Sequence, residues 1–174
     1  MKWKDLPELP QFYDRYIRQV TDQPLLDALR THEPTAIMAD MDKLAQLGDQ
    51  VYEPGKWTIK TVIQHMIDTE RIMAYRALCI ARKDKTILPG FDENSYADNT
   101  SHLQNNLEDL VNEWQILRVS NILLFRSMSE EMLLTKGQAS NKIITPAALG
   151  FVICGHPIHH YNVIKERYFP ILGN

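Results

Sequence analysis

The sequence predicts an all-α protein: an antiparallel four-helix bundle preceded by a helical arm. Three observations carry that prediction. Apolar residues recur every three or four positions through three long segments, 58–81, 101–127 and 144–169. Turn and cap residues separate these segments, and no alternating pattern persists beyond a few residues. At 174 residues the chain is long enough to bury a sizeable core in one domain spanning 1–174, divided into an arm (1–21) and a bundle (22–169).

The arm is rich in aromatic residues and proline: Trp3, Pro7, Pro10, Phe12, Tyr13 and Tyr16. It is expected to pack across the bundle or across a partner subunit. Residues 22–30 read as a short helix with Pro24 in its first turn and Leu25, Leu26 and Leu29 on one side. Pro34 opens a second stretch to Leu47, with Ile37, Met41, Leu44 and Leu47 as its stripe and Gly48 as its stop. After the Pro54-Gly55 turn, Thr58 caps a helix whose apolar face is Ile59, Val62, Ile63, Met66, Ile67, Met73, Ala77 and Leu78. Residues 83–100 turn polar and read as a long loop, the kind that serves as a lid or a subunit contact. The third long helix then buries Leu103, Leu107, Leu110, Trp114 and Leu117, and a short SEEMLLTKG element and a polar QASNKI loop follow it.

Composition excludes several classes. Lys and Arg total 19 against 22 Asp and Glu, a net charge of −3 with no basic run, so nucleic-acid binding is not expected. No stretch approaches eighteen uninterrupted apolar residues, and the first residues lack a signal-peptide pattern, so a cytoplasmic protein without a membrane span is expected. Cys79 and Cys154 stand in apolar surroundings at no metal-binding spacing and read as buried thiols.

The last segment holds the chemistry. Thr145 caps it and Pro146 opens it, and it carries His156 and His160. Four residues apart is about one turn, roughly 6 Å of rise, with both imidazoles on one face. Such a pair can share a metal ion but needs a third protein ligand. HxxxH alone is weak, and Pro157 inside it is expected to kink or restart the helix. His159 points away from His160 and is the spare. His65, among apolar neighbours, needs a partner and supplies the third nitrogen if its helix lies beside the last one. His32 and His102 read as surface groups. Asp68, Glu70 and Tyr161 are the candidates for proton transfer. For Asp68 the alternatives are orientation of an imidazole or an ion pair with Arg71 or Arg76; Tyr75 and Tyr161 line a cavity or fill the core. Glycine-rich phosphate loops, HExxH, GxSxG and CxxC are all missing.

At YEPGKWTIKTVIQHMIDTERIMAYRAL, followed by LPGFDE and CGHPIHHYNVIKERY, the chain resembles the DinB-like superfamily over residues 34 to 169. That resemblance implies a four-helix bundle of unusual connectivity, often a homodimer. It also implies a divalent metal, zinc or nickel foremost, held by one histidine of the second helix and an HxxxH pair of the last. Carried over, these are His65, His156 and His160, with water completing the shell. Pro157 is a departure from the pattern. Characterised relatives imply a thiol-dependent S-transferase acting on small electrophiles, with a low-molecular-weight thiol as cosubstrate. Alternatives are a metal-dependent hydrolase of small esters or amides, and a non-catalytic protein stabilised by its metal.

Overall fold

Four helical columns pack side by side, and three of them are the long segments marked by the apolar periodicity. The computed structural model of the chain describes residues 1–100 and 105–173. The first column is made of three short helices, α2 (Leu25–Thr31), α3 (Pro34–Ile37) and α4 (Met41–Leu47), after the short α1 (Asp14–Ile17) of the arm. The stretch expected as one helix over 34–47 is broken at Met38, which leaves the helical region at ψ 43°. Gly48 ends α4 with a positive φ of 54°, as its composition predicts.

Helix α5 (Ile59–Ala81) starts where Thr58 accepts a hydrogen bond from the Thr61 N–H. A short helix α6 (Glu93–Thr100) lies inside the segment expected to be a loop. Only Ala97 of it is buried, so apolar periodicity could not announce it. Its cap could: Asp92 Oδ1 accepts from the N–H groups of Asn94 and Ser95 at 3.0 and 3.2 Å. The expected beginning of the next helix, with His102 and Leu103, lies outside the described residues. Helix α7 (Leu107–Arg126) is capped by Asn106, whose side chain accepts from the Asp109 N–H at 2.8 Å.

After α8 (Glu130–Leu134), the QASNKI segment forms a hairpin rather than a loop. Strands β1 (Gly137–Ala139) and β2 (Lys142–Ile144) pair antiparallel about Ser140 and Asn141, both at positive φ, the conformation a two-residue hairpin turn requires. Helix α9 (Pro146–Val163) closes the bundle, and the chain continues through a wide helical turn at Ile164–Tyr168.

Helices α5 and α9 run antiparallel, since His65 near the start of α5 meets the end of α9 while Ile80 near its end abuts Gly137. Helices α5 and α7 run parallel: Gln64 faces Leu110, Arg71 bonds Glu113, and Lys83 beyond α5 bonds Glu131 beyond α7. A tight turn cannot join parallel neighbours, so the chain leaving α5 travels back along the bundle through residues 82–100. The polar segment at 83–100, expected as a lid or a subunit contact, belongs to this crossing connection. It is fastened to the hairpin by the Ser140 N–H on the Leu88 carbonyl, and the arm crosses α9.

Pro157 does not break α9. The carbonyl of Ile153, which an N–H at position 157 would have bonded, accepts instead from Arg118 Nη2 at 3.2 Å. The remaining guanidinium donors reach the Leu29 and His32 carbonyls and both oxygens of Glu70, the latter at 2.8 Å each. Glu70 also accepts from Trp114 Nε1 and Asn121 Nδ2. Arg118 and Glu70 are 0% and 2% exposed, so either one alone would be an uncompensated buried charge. Arg118→Ala is therefore expected to cost about 3–5 kcal/mol in urea unfolding, against less than about 0.5 kcal/mol for the surface control Arg30→Ala.

Candidate functional site

The antiparallel pairing of α5 and α9 brings the three predicted histidines together. His65 stands on the second turn of α5, and His156 and His160 stand on successive turns of α9. His156 Nε2 lies 3.2 Å from His65 Nε2 and 3.0 Å from His160 Nε2. Among the described residues, this is the group of histidine, cysteine and carboxylate side chains spaced to hold a metal ion, its ligand atoms all within 4.8 Å of one another. His159 is excluded from it, and its ring lies edge-on to Tyr16.

Burial keeps these imidazoles neutral. It lowers His65 to about 4 and, with repulsion from His65, His159 and Arg15, lowers His160 to about 3. His156 is displaced well downward, first by burial and then by the neighbouring histidines. A neutral imidazole nitrogen either donates one proton or accepts through one lone pair, so His156 Nε2 cannot make two good hydrogen bonds at once. Three converging lone pairs of this kind suit a cation, and three imidazoles with room for further ligands suit a divalent transition metal.

The family model for the DinB superfamily matches residues 35–164. The chain belongs to the DinB superfamily. No curated protein matches the sequence. Among solved structures, the chain is similar to YfiT from Bacillus subtilis, described as a probable metal-dependent hydrolase with an unusual four-helix bundle topology. The TM-score is 0.64 at 18% identity, covering 98% of this chain and 94% of that one. At that identity the likeness is one of fold.

In this DinB-superfamily chain the histidines open onto a cavity of about 260 Å³, lined also by Thr69, Arg76 and Glu93. The aromatic walls come from Trp57, whose ring lies 5.0 Å from that of His65, and Tyr16, 5.1 Å from that of His156. Trp57 is fixed in turn by Tyr168, whose hydroxyl donates to its carbonyl at 2.6 Å. At the rim, Phe12 holds a positive φ of 80°, unusual for so bulky a residue, with the Arg15 guanidinium 4.0 Å over its ring.

The residues expected to move protons stand elsewhere. Glu70 is committed to Arg118, Trp114 and Asn121. Tyr161 donates to Asp40 Oδ2 at 2.5 Å, and its hydroxyl is pushed up to about 12 by burial and that bond. Asp68 accepts from Gln64 Nε2 at 2.9 Å and faces Arg71 at 3.6 Å, the ion-pair alternative of the sequence reading. None of the three lines the histidine cavity. The carboxylate that does is Glu93, whose negative charge acts on His65. Its one signal in the sequence is its place at the end of the LPGFDE segment; periodicity assigns it no role, because the crossing connection had no predictable path. Thr69, given no role in the sequence, and Arg76, read there only as an alternative ion-pair partner of Asp68, carry a spacing signal: they follow His65 by four and eleven residues, on the same face of α5. Cys79 and Cys154 are buried free thiols, and burial pushes Cys154 up to about 12.

The wall over His156 depends on Gly155. A Cβ there would lie 2.0 Å from the Tyr16 carbonyl oxygen, so only glycine lets α1 approach α9 this closely. Gly155→Ala is expected to destabilise the chain by about 1–3 kcal/mol in urea unfolding, and to remove the Tyr16 ring-current shift from the His156 imidazole protons in NMR spectra.

Proposed function

We propose that the chain is a metal-dependent hydrolase of small esters or amides, with His65, His156 and His160 as ligands of zinc or nickel. The observation that carries the reading is the convergence of three neutral imidazole nitrogens on the wall of a cavity that also holds a carboxylate. Among the described residues no fourth protein ligand closes the group, as a structural centre would require. When bound, the ion supplies Lewis acidity toward a substrate carbonyl and toward water. The remaining work falls to the protein. Glu93 accepts the proton of the attacking water and returns it to the leaving group. Trp57 and Tyr16 exclude bulk water from one side, which strengthens electrostatic interactions within the cavity. The description of YfiT as a probable metal-dependent hydrolase agrees with this reading.

Thiol transfer, expected from the family resemblance, would use the same histidines but must import its sulfur, since both cysteines are buried and Cys154 is held as the thiol. The two reactions separate in one assay. Hydrolysis is expected from the zinc- or nickel-loaded protein alone, whereas turnover that appears only on adding a low-molecular-weight thiol would replace hydrolysis by transfer. Elemental analysis should give about one metal per chain, lost in the His65→Ala, His156→Ala, His160→Ala triple variant; metal retained by that variant would refute the ligand set. Glu93→Gln should keep the metal while kcat falls about 10²–10⁴-fold.

The expected homodimer stands as a further part of this proposal. Ile116, Val119 and Leu123 form an exposed apolar stripe on α7, 63, 51 and 50% accessible, and a second copy is its proposed cover. Light scattering is expected to give twice the 20.2 kDa chain mass; a monomer at micromolar concentration removes the dimer.

A further inference from the structure

Two arginines face the histidine cavity, and among the described residues neither has a carboxylate partner. Arg76 is 2% exposed, yet among the described residues no ion pair neutralises it. Its guanidinium donates to the Pro89 carbonyl at 2.7 Å and makes longer contacts to the Tyr13 hydroxyl (3.4 Å) and Met73 Sδ (3.7 Å). The contrast with Arg118, whose charge is met by both oxygens of Glu70, is direct. A buried charge without a counter-ion is costly, and its neutral contacts offset only part of that cost. Arg15, at the rim, donates to the Tyr16 hydroxyl at 2.8 Å and lies over two aromatic rings. Against these two cations, the described lining carries one carboxylate, Glu93.

A second observation points the same way. The Thr69 hydroxyl, in a residue 4% exposed on the cavity wall, has no hydrogen-bond partner among the described residues. His65, Thr69, Met73 and Arg76 follow one another at spacings of four, four and three, so they form one stripe along α5. The guanidinium rests against Met73, about two turns or roughly 12 Å along the helix from His65.

We propose that the cavity takes an elongated substrate whose far end is an anion, carboxylate or phosphate, held by Arg76 and the Thr69 hydroxyl while its reacting group lies at the histidines. The histidine end rests on the proposed hydrolysis; the anion end does not. Binding neutralises a buried guanidinium that has no counter-ion among the described residues and gives the Thr69 hydroxyl an acceptor. Charge-assisted hydrogen bonds of this kind are worth about tenfold or more in affinity. Arg76 thereby selects among esters or amides by the charge at the end remote from the chemistry.

Calorimetric titration of the zinc-reconstituted full chain with monomethyl adipate and dimethyl adipate tests this. The monoester, with its free carboxylate, is expected to bind about tenfold or more tightly than the diester, and Arg76→Gln should bring that ratio to near one. Equal binding by the wild type overturns the proposal, as does a preference that survives in a folded Arg76→Gln variant, because the carboxylate then sits elsewhere. Should Arg76→Gln not fold by circular dichroism, Thr69→Val decides: a reduced ratio supports the site and an unchanged one overturns it. Competition by hexanoate against hexyl phosphate identifies the anion, and failure of both to compete also overturns the site. Turnover is read separately. Monoester preference without hydrolysis removes the hydrolase reading and leaves the anion site, whereas hydrolysis without preference does the reverse.

Discussion

Every column of the bundle meets at one side chain. Arg118 of α7 donates to α5 through Glu70, to the α2 end of the first column through the Leu29 and His32 carbonyls, and to α9 through the carbonyl that Pro157 leaves free. Five N–H groups find five acceptors, which is the full capacity of a guanidinium. This satisfaction is what lets two charges lie in the interior. Partly satisfied, the same network would cost more than an apolar core in its place. It also assigns a role to the proline that looks like a flaw in the sequence. Pro157 removes a donor from α9, and the acceptor so released, the Ile153 carbonyl, becomes the attachment point that fixes α9 against α7 about two turns before His160.

The network belongs to a polar layer that crosses the waist of the bundle and divides the apolar core in two. On α5 the clusters stop at Ile67 and resume at Met73, with Thr69 and Glu70 between; on α9 they stop at Cys154 and resume at Tyr161, with His156 and His160 between. On α7 Trp114 and Phe125 bracket Arg118 and Asn121. The histidines are therefore an extension of a layer held in place by its own hydrogen bonds, with a separate apolar cluster above and below. Side chains placed this way lose little freedom on meeting a ligand, because the cost of ordering them was met when the chain folded.

The histidine group could be located from sequence because its information is local: HxxxH on one helix, a lone imidazole on the face of another, and a family resemblance to join them. Caps at Thr58 and Thr145 and the stop at Gly48 were legible for the same reason. What escaped was non-local or lacked apolar periodicity. Helix α6 buries one residue and is announced only by the Asp92 cap. The break at Met38 left the apolar stripe of the first column intact, so the stripe could not reveal it. Glu70 drew attention as a carboxylate near His65, yet five positions along a helix is well over one turn, and it points into the core toward α7. Glu93 stands where it does only because the chain returns across the bundle.

That return is a consequence of topology, and it accounts for the cavity. Parallel neighbours α5 and α7 oblige the chain to return along the bundle, and its described part, residues 82–100, passes the open side of the α5/α9 groove. Along its way it presents Pro89 to Arg76, then Phe91 and Glu93 to the space before the histidines. The hairpin before α9 holds its first part through Leu88, and the arm closes the opposite side with Tyr13 and Tyr16. An up-and-down bundle with short turns would leave the same three histidines on an open groove, with neither a carboxylate nor a wall before them. The connectivity of this bundle is thus also what turns a cluster of imidazoles into a walled cleft. Substitutions in the crossing segment should accordingly alter what the site accepts more readily than whether the bundle folds, since few of its described side chains enter either core cluster.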